Sequence, residues 1–198
     1  MLFNENTSPR GHLEVWKRYA DGTEELHYSD KNVICSGMGW TLSQFFTAPL
    51  SEAIDKYQLT YFQVGTSGST DLQVSSTGEL SAGLGLDEYG TGFLDIDVHS
   101  LWNNGTITTN QPFGSIPYAY IRKITDTKVL YQIVLDQASC NVGEDPGGVP
   151  INEIGLFAKN PFHGTTSPEQ SVLVAYRYFK PIYKTDALTL IFRWSIEF

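Results

Sequence analysis

This sequence is short of charge, of cysteine and of long apolar runs, and each shortage removes a class of function. Charged residues make up 18% of the 198 positions, below the roughly 25% typical of soluble domains. Bases are scarcer still: 13 Lys and Arg stand against 22 Asp and Glu, a formal net charge of −9. A nucleic-acid binder needs Lys and Arg to replace the counterions around phosphates, and anionic lipid makes the same demand. Neither nucleic acid nor a membrane is therefore expected as a partner. The two cysteines, Cys35 and Cys140, have no metal-ligand or C-x-x-C spacing. They are expected as buried free thiols made in a reducing cytoplasm. No run approaches the roughly 20 apolar residues of a membrane span. Met1 to Asn6 show no basic start and no apolar stretch, so export by a signal peptide is not expected.

What the chain does hold is apolar and aromatic. Its apolar fraction of 41% and aromatic fraction of 13% exclude wholesale disorder, which needs low hydrophobicity and high charge. The length fits one domain, 1–198, with a real core. Residues 10–30 read as an N-terminal β-hairpin. Alternating runs from Leu13 to Tyr19 and from Glu25 to Tyr28 flank Asp21-Gly22, a pair that tolerates positive φ. After Asn32-Val33-Ile34-Cys35 comes the one convincing helix, near 37–47. Met38, Leu42, Phe45 and Phe46 recur at helical spacing, with Ser36 placed to cap it and Pro49 to close it.

Beyond Tyr57 the period becomes two. A strand over 57–64 runs into Gly65-Thr66-Ser67-Gly68-Ser69-Thr70, read as a turn because it lacks the Gly-Lys-Ser/Thr ending of a phosphate loop. Residues 71–112 form a long irregular insertion rich in Gly, Ser, Thr and Asn. Strands return over 116–125, 128–136, 151–158, 171–180 and 187–198. In the last, Leu188, Leu190, Phe192, Trp194, Ile196 and Phe198 share one face, which specifies register because a slip by one residue would expose all six. Many strands, one helix and glycine-rich connections point to a mainly β protein, an antiparallel β-sandwich.

The search for chemistry yields little. His12, His27, His99 and His163 are scattered, and no Gly-x-Ser-x-Gly elbow occurs. Asp95, Asp97 and His99 would share one face of a strand and could gather a divalent ion; equally, they are three solvated groups opposite Ile96 and Val98. Asp87-Glu88 and Glu144-Asp145 sit in Gly/Pro-rich loops and read as solvated turns. Trp102, Tyr118 and Tyr120 offer aromatic faces for sugar rings, or for packing between sheets or subunits. Only Arg122 and Lys123 lie near them, too few for a single-strand nucleic-acid platform. Asn104-Gly105-Thr106 is a formal glycosylation sequon that reads as an Asn-Gly turn. No catalytic, cofactor-binding or metal-binding residue is assigned.

The order of segments carries more than any single motif. Phe62-Gln63-Val64-Gly65-Thr66-Ser67-Gly68 ends one strand, and Ile151-Asn152-Glu153-Ile154-Gly155-Leu156-Phe157 forms a later one. Lys180-Pro181-Ile182-Tyr183-Lys184 marks a corner before the final strand, Leu188 to Phe198. This succession resembles bacteriophage virion structural proteins of the tail, baseplate, fibre and neck. Their pattern is a V-G-T-G-T strand end, an E-I-G-L-F strand, a P-x-x-K turn and an L-x-W-x-I-x-F strand. The resemblance implies a non-enzymatic subunit assembled in the host cytoplasm into the virion, forming homo-oligomers and contacts with other virion proteins. A glycan-binding module of the same particle is the alternative, and an enzyme using Asp87, Glu88, Asp95 or Asp97 the least expected. In this reading Gly155 serves a bulge or a close backbone approach, Glu153 faces outward, and Pro181 marks an edge or turn.

Overall fold

A computed structural model describes residues 9–47, 57–65, 114–137, 139, 149–158 and 172–198. The insertion expected over 71–112 lies outside them. The described chain runs β1 (Arg10–Tyr19), β2 (Glu24–Ile34), α1 (Ser36–Thr47), β3 (Leu59–Gly65), β4 (Gly114–Ser115), β5 (Ile121–Lys123), β6 (Lys128–Leu135), β7 (Val149–Ala158), β8 (Val172–Lys184) and β9 (Leu188–Glu197). All the strand pairings are antiparallel, and the strands follow one hydrogen-bonded order, β4-β3-β7-β8-β2-β1-β9-β6-β5.

That order folds into two sheets because β2 changes allegiance along its length. Its first part pairs with β1, from Glu24 to Asn32, while Val33 and Ile34 pair with Tyr176 and Ala175 of β8. Both inner faces then feed one core. In the first sheet Leu13, Trp194 and Tyr131 stand in one row across β1, β9 and β6, and Val15, Phe192 and Ile133 in the next. In the second, Phe62, Leu156 and Ala175 form a row across β3, β7 and β8. The rings of Phe179 and Phe192 meet between the sheets, 6.1 Å apart. This is the expected antiparallel sandwich, with one α-helix among the described residues.

The hairpin turn is built as the Asp-Gly pair requires. Gly22 has φ +86°, and Asp21 accepts hydrogen bonds from the Thr23 amide and hydroxyl at 2.9 and 2.7 Å. Asn32-Val33-Ile34 is not a separate segment, because it continues β2 into the second sheet. The helix begins at Ser36, and the Met38 amide already donates to the Cys35 carbonyl at 3.0 Å, so the cap position falls on Cys35 and not Ser36. Its expected apolar face only half enters the core. Met38 is buried and Leu42 partly so, whereas Phe45 and Phe46 are exposed and stack edge to face on each other.

Three further expectations are corrected. The strand over 116–125 is broken: Pro117 cannot donate to a ladder, a single 3-10 turn occupies Tyr118–Tyr120, and pairing resumes only at Ile121. Pro181 lies inside β8, where Asn152 of β7 faces three residues, Phe179 to Pro181, so the proline is absorbed by a bulge. Phe198 is exposed rather than sharing the buried face of β9, because the ladder ends at Glu197 and only its amide is held, by the Thr127 carbonyl at 2.8 Å.

One property of the strand order positions everything below. Strands β4 and β5 are its two ends, yet Ser115 and Ile121 are six positions apart in sequence. The chain crosses from the outer edge of one sheet to that of the other through Ile116, which is buried and donates its amide to Thr60 at 2.7 Å. The sandwich is thus joined by β2 on one flank and by this crossing on the other.

Candidate functional site

Most residues singled out for chemistry lie outside the described residues: Asp87, Glu88, Asp95, Asp97, His99, Trp102, Asn104, Cys140, Glu144, Asp145 and His163. Cys35 is a buried free thiol, and burial pushes its pKa up to about 12. Among the described residues no group of three or more His, Cys, Asp or Glu is placed to hold a metal ion. Among them, too, no helix is long and apolar enough to cross a membrane. His12 shares a hydrogen bond with the Ser29 hydroxyl at 3.0 Å. His27 sits where the β1–β2 register slips and meets the Lys180 carbonyl at 3.1 Å, which ties the hairpin to β8.

Tyr118 and Tyr120 are in the described set, and they do not pack between the sheets. Tyr118 is 79% exposed and Tyr120 38%. They occupy the crossing that leads into β5, whose one described neighbour is β6. Of β5, Ile121 turns inward against the core while Arg122 and Lys123 face solvent. The turn beyond it adds Ile124, 52% exposed, and Phe198 stands beside the same turn at 44%. Arg10, Glu197 and Lys128 form one row across β1, β9 and β6 at this end of the sheet. The rim therefore carries four bases, Arg10, Arg122, Lys123 and Lys128, against two acids, Asp126 and Glu197. The Lys123 ammonium binds Asp126 at 2.8 Å, whereas Tyr118, Tyr120 and Arg122 have no side-chain partner among the described residues. Large exposed aromatics beside a strand with one described neighbour are what a contact surface presents.

Sequence reasoning missed two polar arrangements. The first is at the flank where β2 leaves the first sheet. Arg177 of β8 donates to the Tyr28 hydroxyl through Nε and to Asp30 through a terminal nitrogen, and its guanidinium lies 5.6 Å from the Tyr28 ring centre and 5.7 Å from that of Tyr178. A planar cation that bonds and stacks at once suits a corner where two sheets diverge. Nothing in a linear pattern links positions 149 residues apart.

The second arrangement overturns the outward reading of Glu153. That residue is 4% exposed, and Tyr176 donates its hydroxyl to it at 2.7 Å. Alternation assumes that one face of a strand meets water. Here the second face of β7 and β8 carries its own cluster, Cys35, Phe157, Leu173 and Tyr176, on the sheet whose β8 also packs against α1. Burial, and then the Glu153 carboxylate, push the Tyr176 phenol well above its ordinary pKa. Gly155 shows the close approach expected of it: an added Cβ would lie 2.9 Å from Phe157 Cε2 and 3.0 Å from Leu173 Cδ1. Lys184, from the P-x-x-K segment, is wholly buried and donates to the Thr185 carbonyl at 2.8 Å.

Compared with protein-family models, with curated proteins and with solved structures, the chain matches none.

Proposed function

We propose that the chain is a non-enzymatic structural subunit of a bacteriophage virion, in its tail, baseplate, fibre or neck, working through oligomerisation and contacts with other virion proteins. The observation that carries the reading is the set of large side chains left uncovered at the rim of the first sheet: Tyr118, Tyr120, Ile124 and Phe198. Such residues are costly to leave in water and gain when a partner covers them. The ordered motifs of the sequence support it as well. Five of their apolar residues, Val64, Ile154, Leu156, Trp194 and Ile196, are fully buried and Phe198 is exposed, so the pattern is mainly that of a framework and the surface is left to specify neighbours.

The test is to purify particles of the phage that encodes the chain and quantify it by mass spectrometry. A fixed stoichiometric copy number is expected, with density for the antiparallel sandwich in the particle's electron-microscopy map. A chain made in infected cells but missing from intact particles would overturn the proposal. The exposed rings of Tyr118 and Tyr120 also favour a second reading, a glycan-binding module of the virion. Selective binding on a glycan array, lost in Tyr118→Ala, would favour it over the first.

A further inference from the structure

We infer that the first sheet meets a second copy of this chain end to end, the basic end of its strands docking on the acidic end of the next copy's. The inference rests on the assembly reading above and assigns it two surfaces and a polarity.

Charge is sorted along the strands of that sheet. At the end where β1 starts and β9 stops, the last three rows and the β5–β6 turn hold five bases, Arg10, Lys31, Arg122, Lys123 and Lys128. Their acids are Asp126 and Glu197, so with His12 neutral three positive charges are in excess. The last three rows at the other end, with the turns that follow them, hold five acids, Asp21, Glu24, Glu25, Asp136 and Asp186. Only Lys17 and Arg18 oppose these, an excess of three negative charges; the nearby Lys184 is wholly buried. The ten residues of β1 hold the two ends about 30 Å apart. That is several times the screening length of about 8 Å at physiological ionic strength, so neither end neutralises the other within one molecule.

Both ends are accessible. All five acids are exposed, and so are the five bases except Lys128, which is half-buried. Arg10, Lys31, Arg122 and Lys128 have no side-chain partner among the described residues, and neither has Asp186. Glu24 is shared by Arg18 and Arg193, and Glu25 accepts from the Tyr19 hydroxyl. Each end also carries exposed apolar side chains, Ile124 and Phe198 at the basic one, Tyr19 and Leu26 at or beside the acidic one. An apolar centre within a charged rim is the anatomy of a protein contact. Polarity follows by elimination. A two-fold contact would set like ends together, and β5 laddered to its own copy would bring the two copies of Arg122 and Lys123 face to face. Like charges so placed are penalised, and opposite ones gain on encounter and in register. Basic end on acidic end is a head-to-tail contact, which closes into a ring or propagates as a filament.

Sedimentation velocity on the full chain tests this with wild type, a basic-end variant (Arg10→Glu, Lys31→Glu, Arg122→Glu) and an acidic-end variant (Glu25→Lys, Asp136→Lys, Asp186→Lys). Each variant has one sign at both ends and is expected to associate at least about tenfold more weakly than wild type. Their equimolar mixture is expected to regain association, because each variant's ends then meet ends of opposite sign. Wild-type association should also weaken as salt rises. A neutral variant, Ile124→Ser with Phe198→Ser, should weaken association too, and it stands in if a charge variant fails to fold. The inference is overturned if the charge variants, or the neutral one in their place, associate like wild type. It is overturned as well if the mixture is no stronger than its parts. In those cases assembly itself stands. A wild-type chain that is present in intact particles yet monomeric at every concentration overturns the inference alone and gives both ends to other virion proteins. Absence from particles overturns the assembly reading instead.

Discussion

Adding one methyl group to Gly155 tests the packing of the buried second face of β7. The new Cβ would sit 2.9 Å from Phe157 Cε2 and 3.0 Å from Leu173 Cδ1, against the roughly 3.5–4.0 Å at which carbon atoms attract. Neither neighbour has room to yield, because Phe157 and Leu173 are 0% and 1% exposed. Nor can the backbone withdraw, since β7 is laddered to β3 on one side and β8 on the other. Overpacking of this kind costs about 1–3 kcal/mol. Alanine's lower unfolded-state entropy offsets about 0.5–1 kcal/mol of that. The expected net loss for Gly155→Ala is about 1–2 kcal/mol, or a fall in Tm of roughly 2–8 °C for a chain of this size. Urea denaturation measures it, with an unchanged m-value showing that the folded state is otherwise intact. Trimming the obstruction gives the internal check. Leu173→Ala alone should cost about 2–5 kcal/mol, and the double variant should be more stable than the sum by about 1 kcal/mol. A Gly155→Ala protein as stable as wild type, or strictly additive costs, would refute the steric argument.

Two other perturbations probe the junction and the core. Arg177→Lys should lose about 1–2 kcal/mol in urea, because an ammonium cannot both bond Tyr28 and Asp30 and stack between two rings; Asp30→Asn, at a half-exposed carboxylate, should cost less. Stability should also fall in alkali. Burial raises the Tyr131 pKa to about 12 from 10, so its contribution is full below pH 10 and disappears as pH climbs to 12. That window corresponds to about 2–3 kcal/mol, and the buried Tyr176 acts in the same direction. Denaturation midpoints at pH 9, 10 and 11 should therefore decline, and Tyr131→Phe should flatten part of the decline. An unchanged pH dependence in Tyr131→Phe would show that the phenol is not the titrating group.

Legibility in the sequence followed how local the cause was. The Asp21-Gly22 turn and the inward face of β9 from Leu188 to Ile196 depend on neighbours along the chain, and both are built as read. Where a distant element intervened, reading failed in a definite way. Glu153 looked solvated because period two assumes a wet face, and the second face of that sheet holds a hydrophobic cluster of its own. Ile191 is likewise buried on the face of β9 opposite Trp194, where its register partners are Trp16 and Val134. Phe45 and Phe46 had the spacing of a core stripe, but they fall in the helix's last turns and remain exposed. The corner around Arg177 depends on two strands, β2 and β8, whose meeting no short window contains. Of the rim, Tyr118, Tyr120, Arg122 and Lys123 were legible as a cluster of residue types. That they stand at a sheet edge followed only from the strand order.

The pairing of β1 with β9 also sets a schedule for synthesis. Leu13 lies opposite Trp194 and Val15 opposite Phe192, so the inner partners of the first strand leave the ribosome about 180 residues after it. At roughly 5–20 residues per second that is a wait of about 9–36 s. The β1–β2 hairpin, with its local Asp-Gly turn, can close within about 10 microseconds. Until β9 emerges, the outer edge of β1 therefore lacks its ladder partner. Such a nascent chain depends on whatever shields that edge until β9 arrives, and a translational pause between the two strands would lengthen the exposure in direct proportion.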